Sequence, residues 1–322
     1  MTQQSTSLLV GLLAGVSAAL LLVSAGYTSG LSFLMFATAA LPILIAGLGW
    51  SNLASIVAVA TAMAIVGLAT TPEAALVTAV TTLAPAAWIA HLSNLGRPAE
   101  ELGGPEGAVA WYPLSDILLS ISSVVCTGLF AVGLAMGYGE DFIGELVDMF
   151  VEALKLNNAE YQPTATGIAE MKRFFLFALP AIQAAIWVLI LLAGWYVASA
   201  IVRLSGRSRR PKDDLPTQLR MPSMGAVGLG AGVVLSFVPG VAALVGWTII
   251  GAFGIGFVAA GFAIAHKRTR GKPARGLLLW MAYLSTVVFT LPLGFFLFLG
   301  LFDTARTLTV TGGPGPGPDS NP

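Results

Sequence analysis

Hydrophobic and polar positions alternate along this chain in long blocks rather than residue by residue. Apolar runs cover roughly 8–26, 32–50, 53–70, 73–91, 114–137, 174–203, 222–238, 241–265 and 277–301. A helix needs about 20 mostly apolar residues to cross the hydrocarbon core of a bilayer, so each run predicts a membrane-spanning helix. The connections at Ser51-Asn52 and Thr71-Pro72 are so short that the helices they join must be antiparallel neighbours. Pro239-Gly240 splits the apolar stretch from 222 to 265, too long for one span, into a hairpin of two. The fold class expected is all-α: a polytopic helical bundle of eight or nine spans. The lower count follows if one short segment is re-entrant or if the last run breaks at Pro292 and turns back.

One connection carries a pattern of its own. In EDFIGELVDMFVEALKL, Phe142, Leu146, Met149, Phe150 and Ala153 recur at helical spacing, with Asp141, Glu145, Asp148 and Glu152 opposite. That predicts an amphipathic helix of roughly four turns. Interfacial helices favour Lys and Arg on the polar face. An acidic one is better suited to packing across the mouth of the bundle, as a lid or as a solvated connecting helix.

Charge gives the orientation. Of sixteen Lys and Arg, eleven fall within 203–220 and 267–275, while seven acids crowd the connection 138–172. Short basic loops stay cytoplasmic. Loops 203–221 and 266–276 are therefore expected inside, 138–172 outside and the N-terminus inside, in a bacterial cytoplasmic (inner) membrane. Composition agrees: 56% of residues are hydrophobic and only 10% charged, against about 25% charged in soluble domains. Residues 1–305 read as one transmembrane domain, and the Gly/Pro-rich 306–322 as a disordered tail. The partners expected are the lipid bilayer and a membrane protein or separate coupling ATPase, with a small-molecule ligand; nucleic acid is not expected.

Chemistry is sparse. The chain has no Walker A loop, and Gly254-Ile255-Gly256-Phe257-Val258-Ala259 lacks the preceding strand that a dinucleotide site needs. No catalytic constellation, metal set or cofactor site presents itself, so the chain is read as a non-enzyme. Trp88, His91, Trp50 and Asn52, at neighbouring span ends, and Gln183, in the apolar FALPAIQAAIW, are the candidates for a polar pocket. Their bland alternatives are interfacial anchoring and helix–helix hydrogen bonds. Gly11, Gly15 and Ala19, with Ala14 and Ala18, form a small-residue face suited to close helix packing.

The C-terminal third carries a resemblance. Gly261-Phe262-Ala263-Ile264-Ala265-His266, a basic loop, and Leu299-Gly300-Leu301-Phe302-Asp303-Thr304-Ala305-Arg306 resemble the YybS-like family of bacterial inner-membrane proteins (domain of unknown function 2232), with Arg306 placed early. Leu41–Trp50 and Trp111-Tyr112-Pro113 fit it too. The family motif residues here are His266, Asp303 and Arg306. The resemblance implies distant similarity to S components of energy-coupling-factor transporters, which capture vitamins, and to the cell-shape protein MreD. It therefore implies either substrate capture, with Gly11, Gly15 and Ala19 docking a coupling subunit, or a scaffold or assembly role.

Overall fold

A computed structural model describes residues 3–27, 30–158 and 160–309. The protein is an all-α bundle. Among the described residues, seven helical segments are long and apolar enough to cross a membrane. They are α1 (Gln3–Ala25); α2 (Ser32–Thr38) continued by α3 (Ala40–Gly49); α4 (Asn52–Ala69); α5 (Pro72–Thr78) continued through a π turn at Ala79–Leu83 by α6 (Ala84–Ser93); α7 (Leu114–Ala135); α9 (Ala165–Leu204); and α12 (Val241–Arg268). Between the last of these, α8 (Glu140–Asn157) precedes α9, while α10 (Leu215–Gln218) and α11 (Ser223–Ser236) precede α12. α13 (Arg275–Val288) and α14 (Leu291–Thr309) close the described chain. A small antiparallel ribbon pairs β1 (Gly96–Pro98) with β2 (Val109–Trp111) between α6 and α7.

The short connections are sharp because they are capped. Ser51 Oγ accepts from the Ala54 amide at 3.2 Å, and Thr71 Oγ1 from the Ala74 amide at 3.1 Å, with Pro72 in the first turn of α5. Each cap satisfies a donor that the new helix would otherwise leave open. Pro85 has no amide hydrogen for the helical ladder, and the π turn just before it absorbs that break.

Glycines set which helices touch. Gly11 and Gly15 of α1 lie against the carbonyls of Ala54 and Ala58, with Val57 and Thr61 beside them, so α1 and α4 run parallel in close contact. Gly251 of α12 faces the Ala181 carbonyl of α9, and Trp247 lies beside Phe177, with ring centroids 6.2 Å apart. Both positions step in the same direction, so α9 and α12 are parallel too. The chain must therefore travel the length of the bundle between them, and α11 makes that passage. It packs antiparallel on α12, Gly232 against Ile249 and Gly246 against the Ser236 amide. At 14 residues α11 spans only about 21 Å. It suffices because the preceding connection dips into the bundle, burying Leu219 and Met221.

The segment 277–301 is not one straight span. α13 and α14 are bent by 120° across Phe289-Thr290. The pair starts beside the 205–222 connection, where Arg270 bonds Asp214. α14 then meets the buried end of that connection, where Thr304 Oγ1 donates to the Met221 carbonyl at 2.7 Å and Arg220 pairs with Asp303 at 3.0 Å. It packs on α12 backbone to backbone, Gly261 against the Phe296 carbonyl and Gly300 against that of Phe257. α14 therefore runs antiparallel to α12, from its basic end back along it, and the break near Pro292 turns the chain into that direction.

The amphipathic α8 exists, but its packing face is not the one its spacing predicted. Ile143, Val147 and Val151 are buried, against Ile168, Met171, Phe175, Leu176 and Leu179 near the start of α9. Met149 and Phe150 stay exposed. The apolar arc is broader than one partner needs, and α9 takes its β-branched edge. α14 runs on to Thr309, so residues 306–309 are helical; the Gly/Pro-rich 310–322 lie outside the described residues.

Candidate functional site

The five residues expected to share a pocket separate into two places. Four gather at the end of the bundle that carries the basic connections. There Asn52, opening α4, places its amide nitrogen 2.7 Å from His91 Nδ1 near the end of α6. The Trp88 ring lies one turn back, its centroid 5.6 Å from that of His91, and its Nε1 donates to Ser120 Oγ at 2.9 Å. Trp50 sits beyond the end of α3, covered by the Arg207 guanidinium 4.5 Å from the ring centroid, and its carbonyl accepts from Arg209 at 3.1 Å. Its indole nitrogen is buried with no hydrogen-bond partner among the described residues. Asn94 donates to the Gly47 carbonyl at 2.9 Å, and Trp195 Nε1 to the buried Ser93 Oγ at 2.8 Å. These bonds join α3, α4, α6, α7 and α9. They hold helix ends together, and the space beside Ser93, Asn94 and Trp195 is about 20 Å³, room for a water molecule.

Gln183 belongs elsewhere. It lines a cavity of about 620 Å³ at the opposite, α8 end of the bundle. Phe33 and Phe36 of α2, Phe130 and Leu134 of α7, Trp187 and Ile190 of α9, and Leu244, Val245 and Thr248 of α12 form its walls. Phe142 and Leu146 of α8 close one side, the apolar positions that α9 leaves uncovered. No charged side chain among the described residues lines it. Two of its polar groups are already satisfied: Tyr138 donates its hydroxyl to the Leu176 carbonyl at 3.2 Å, and Thr248 donates to Leu244 at 2.9 Å. Burial pushes the Tyr138 phenol up to about 12, so it stays a neutral donor. The Gln183 amide has no hydrogen bond among the described residues, which leaves it the cavity's free polar group.

The other expected residues are occupied. Gly11 and Gly15 bear on α4 of the same chain and Ala19 is fully buried, so this face, expected to dock a coupling subunit, is used inside the fold. His266 Nε2 lies 2.9 Å from the Tyr283 hydroxyl, and Asp303 pairs with Arg220. The side chain of Arg306 lies outside the described residues. Among the described residues no three His, Cys, Asp or Glu side chains group to hold a metal ion.

Sequence reasoning missed the aromatic wall of the cavity and Tyr138. Tyr138 stands between Gly137 and Gly139, just past the end of α7, where a polar-tipped aromatic marks the mouth of a bundle. That signal was present.

A family model described as a predicted membrane protein (DUF2232) matches residues 16–304. No curated protein and no solved structure matches the chain.

Proposed function

We propose that this chain, which belongs to the DUF2232 family of predicted membrane proteins, captures a neutral, mainly apolar small molecule in the cavity between α2, α7, α8, α9 and α12. The observation that carries this reading is the cavity itself. Its volume falls within the roughly 300–1,000 Å³ of small-molecule sites, and such sites pair apolar walls with a few directed polar groups. The walls here are uncharged, which disfavours ionic ligands by desolvation. The single free amide of Gln183 suits a ligand with one hydroxyl or carbonyl group. The role is binding rather than catalysis. Its setting is the bacterial inner membrane, with the two basic connections and the N-terminus in the cytoplasm and α8 capping the cavity from outside. The glycine face of α1 is filled by α4 and is free neither for a coupling subunit nor for a scaffold partner, so capture on the way to transport is favoured by the cavity alone.

Native mass spectrometry of the protein extracted in mild detergent tests it. Wild type is expected to retain, or take up from a panel of prenols, quinones and fatty alcohols, a neutral molecule. Val245→Trp, which puts a large ring into the cavity, should sharply reduce retention. Gln183→Leu should weaken it by up to about tenfold, the cost of a lost hydrogen bond to the ligand. No uptake by wild type across the panel, or equal uptake by Val245→Trp, defeats the proposal.

A further inference from the structure

The two basic connections are used differently. In 205–222, Arg207, Arg209, Arg210 and Arg220 are engaged within the chain: by the Trp50 ring, the Trp50 carbonyl, Asp213 together with the Tyr112 carbonyl, and Asp303. In 267–275 only Arg270 is so engaged, by Asp214. Lys267, Arg268, Lys272 and Arg275 are exposed, and none forms an ion pair with a described residue.

α13 begins at Arg275 and carries no further charge. None of its residues is buried. Tyr283 ties it to the bundle through the Phe262 ring and His266. On another face Leu277, Met281, Leu284 and Val288, at i, i+4, i+7 and i+11, are 63%, 52%, 41% and 59% exposed, with Trp280 beside them. Four uncompensated cations therefore adjoin an uncharged, open apolar helix.

We propose that this surface binds anionic phospholipid: the phosphate lies against Lys267, Arg268, Lys272 and Arg275, and the acyl chains lie along α13. The charge selects an anion, and the apolar helix selects a lipid over a soluble anion, which would have nothing to place there. The 205–222 connection, for all its arginines, offers no equivalent, because its guanidinium groups are held by the fold. Each cation close to an anionic lipid surface is worth about fivefold in binding, falling with salt. The four together set a preference for phosphatidylglycerol over phosphatidylcholine of at least about tenfold.

The test uses the full chain, delipidated and exposed to equimolar phosphatidylglycerol and phosphatidylcholine of identical chains, with bound lipid read by native mass spectrometry. Wild type should retain phosphatidylglycerol preferentially. K267Q/R268Q/K272Q/R275Q should lose the preference while keeping its thermal stability in phosphatidylcholine, and the charge-keeping K267R/R268K/K272R/R275K should retain it. Equal retention of the two lipids by wild type overturns the proposal, as does a preference that survives in the glutamine variant. Displacement of phosphatidylglycerol by millimolar inorganic phosphate also overturns it, assigning the cations to a soluble anion.

Discussion

Two glycines of α14 make a matched pair. Gly300 is buried where α14 meets α12, and a methyl group added there falls on the Phe257 carbonyl and within 3.2 Å of the Gly261 amide nitrogen. Gly294, six residues earlier, has nothing within 4 Å of the same added methyl. In each case Gly→Ala brings the same gain in helix propensity, up to about 1 kcal/mol. The gain cancels in the comparison and leaves the packing difference. The obstructing atoms at Gly300 are backbone, which cannot rotate aside as a side chain would, so the helices must separate. Overpacking costs about 1–3 kcal/mol, and an obstacle of backbone belongs at the upper end. Gly300→Ala should therefore be less stable than Gly294→Ala by about 2–3 kcal/mol, roughly 30- to 150-fold in the unfolding equilibrium. The assay is reversible denaturant unfolding in mixed micelles followed by circular dichroism, with limited proteolysis of 267–275 reporting local release of α14. Equal stability of the two variants would refute the backbone-to-backbone contact and, with it, the antiparallel seating of α14 on α12.

Two further outcomes follow from the same end of the bundle. The Asp214 carboxyl accepts from Arg270 and Thr217, which holds it below the ordinary carboxylate range. A depressed folded value means that its contribution is present above the unfolded pKa and is lost as pH falls through the folded one. Asp214→Asn should thus lower thermal stability at neutral pH and match wild type in strong acid; a difference independent of pH would contradict the pairing. The antiparallel seating of α14 on α12 also predicts that reporters fused at Arg270 and after Thr309 give signals from opposite sides of the membrane, and signals from the same side would make the α13–α14 pair re-entrant.

Part of the candidate site is legible in the sequence. Gln183 shares with Trp50, Asn52, Trp88 and His91 only that all are polar or aromatic residues in apolar surroundings. Yet Gln183 stands twenty residues before Arg203 on one continuous helix, about 30 Å away at 1.5 Å per residue. That arithmetic alone puts it at the far end of the bundle. The pairing of Asn52 with His91 was a weaker signal, resting on two adjacent span ends, and only their 2.7 Å approach shows that they serve each other.

What the sequence determined by itself is what local physics governs. Apolar runs of bilayer length must become helices, since no other segment satisfies its own backbone in lipid. Ser51, Thr71 and Pro72 must start new ones, Pro239-Gly240 must turn, and the basic connections must share a face. Tertiary structure decided what depends on the partner. A glycine face such as Gly11–Gly15 is complementary to any backbone that can approach closely, and only the assembled bundle assigns it to α4. The broad apolar arc of α8 admits several docking angles, and α9 selected the edge at Ile143, Val147 and Val151, leaving Phe142 and Leu146 to the cavity. The cavity is the space left when five helices meet, and no one segment of the chain encodes it.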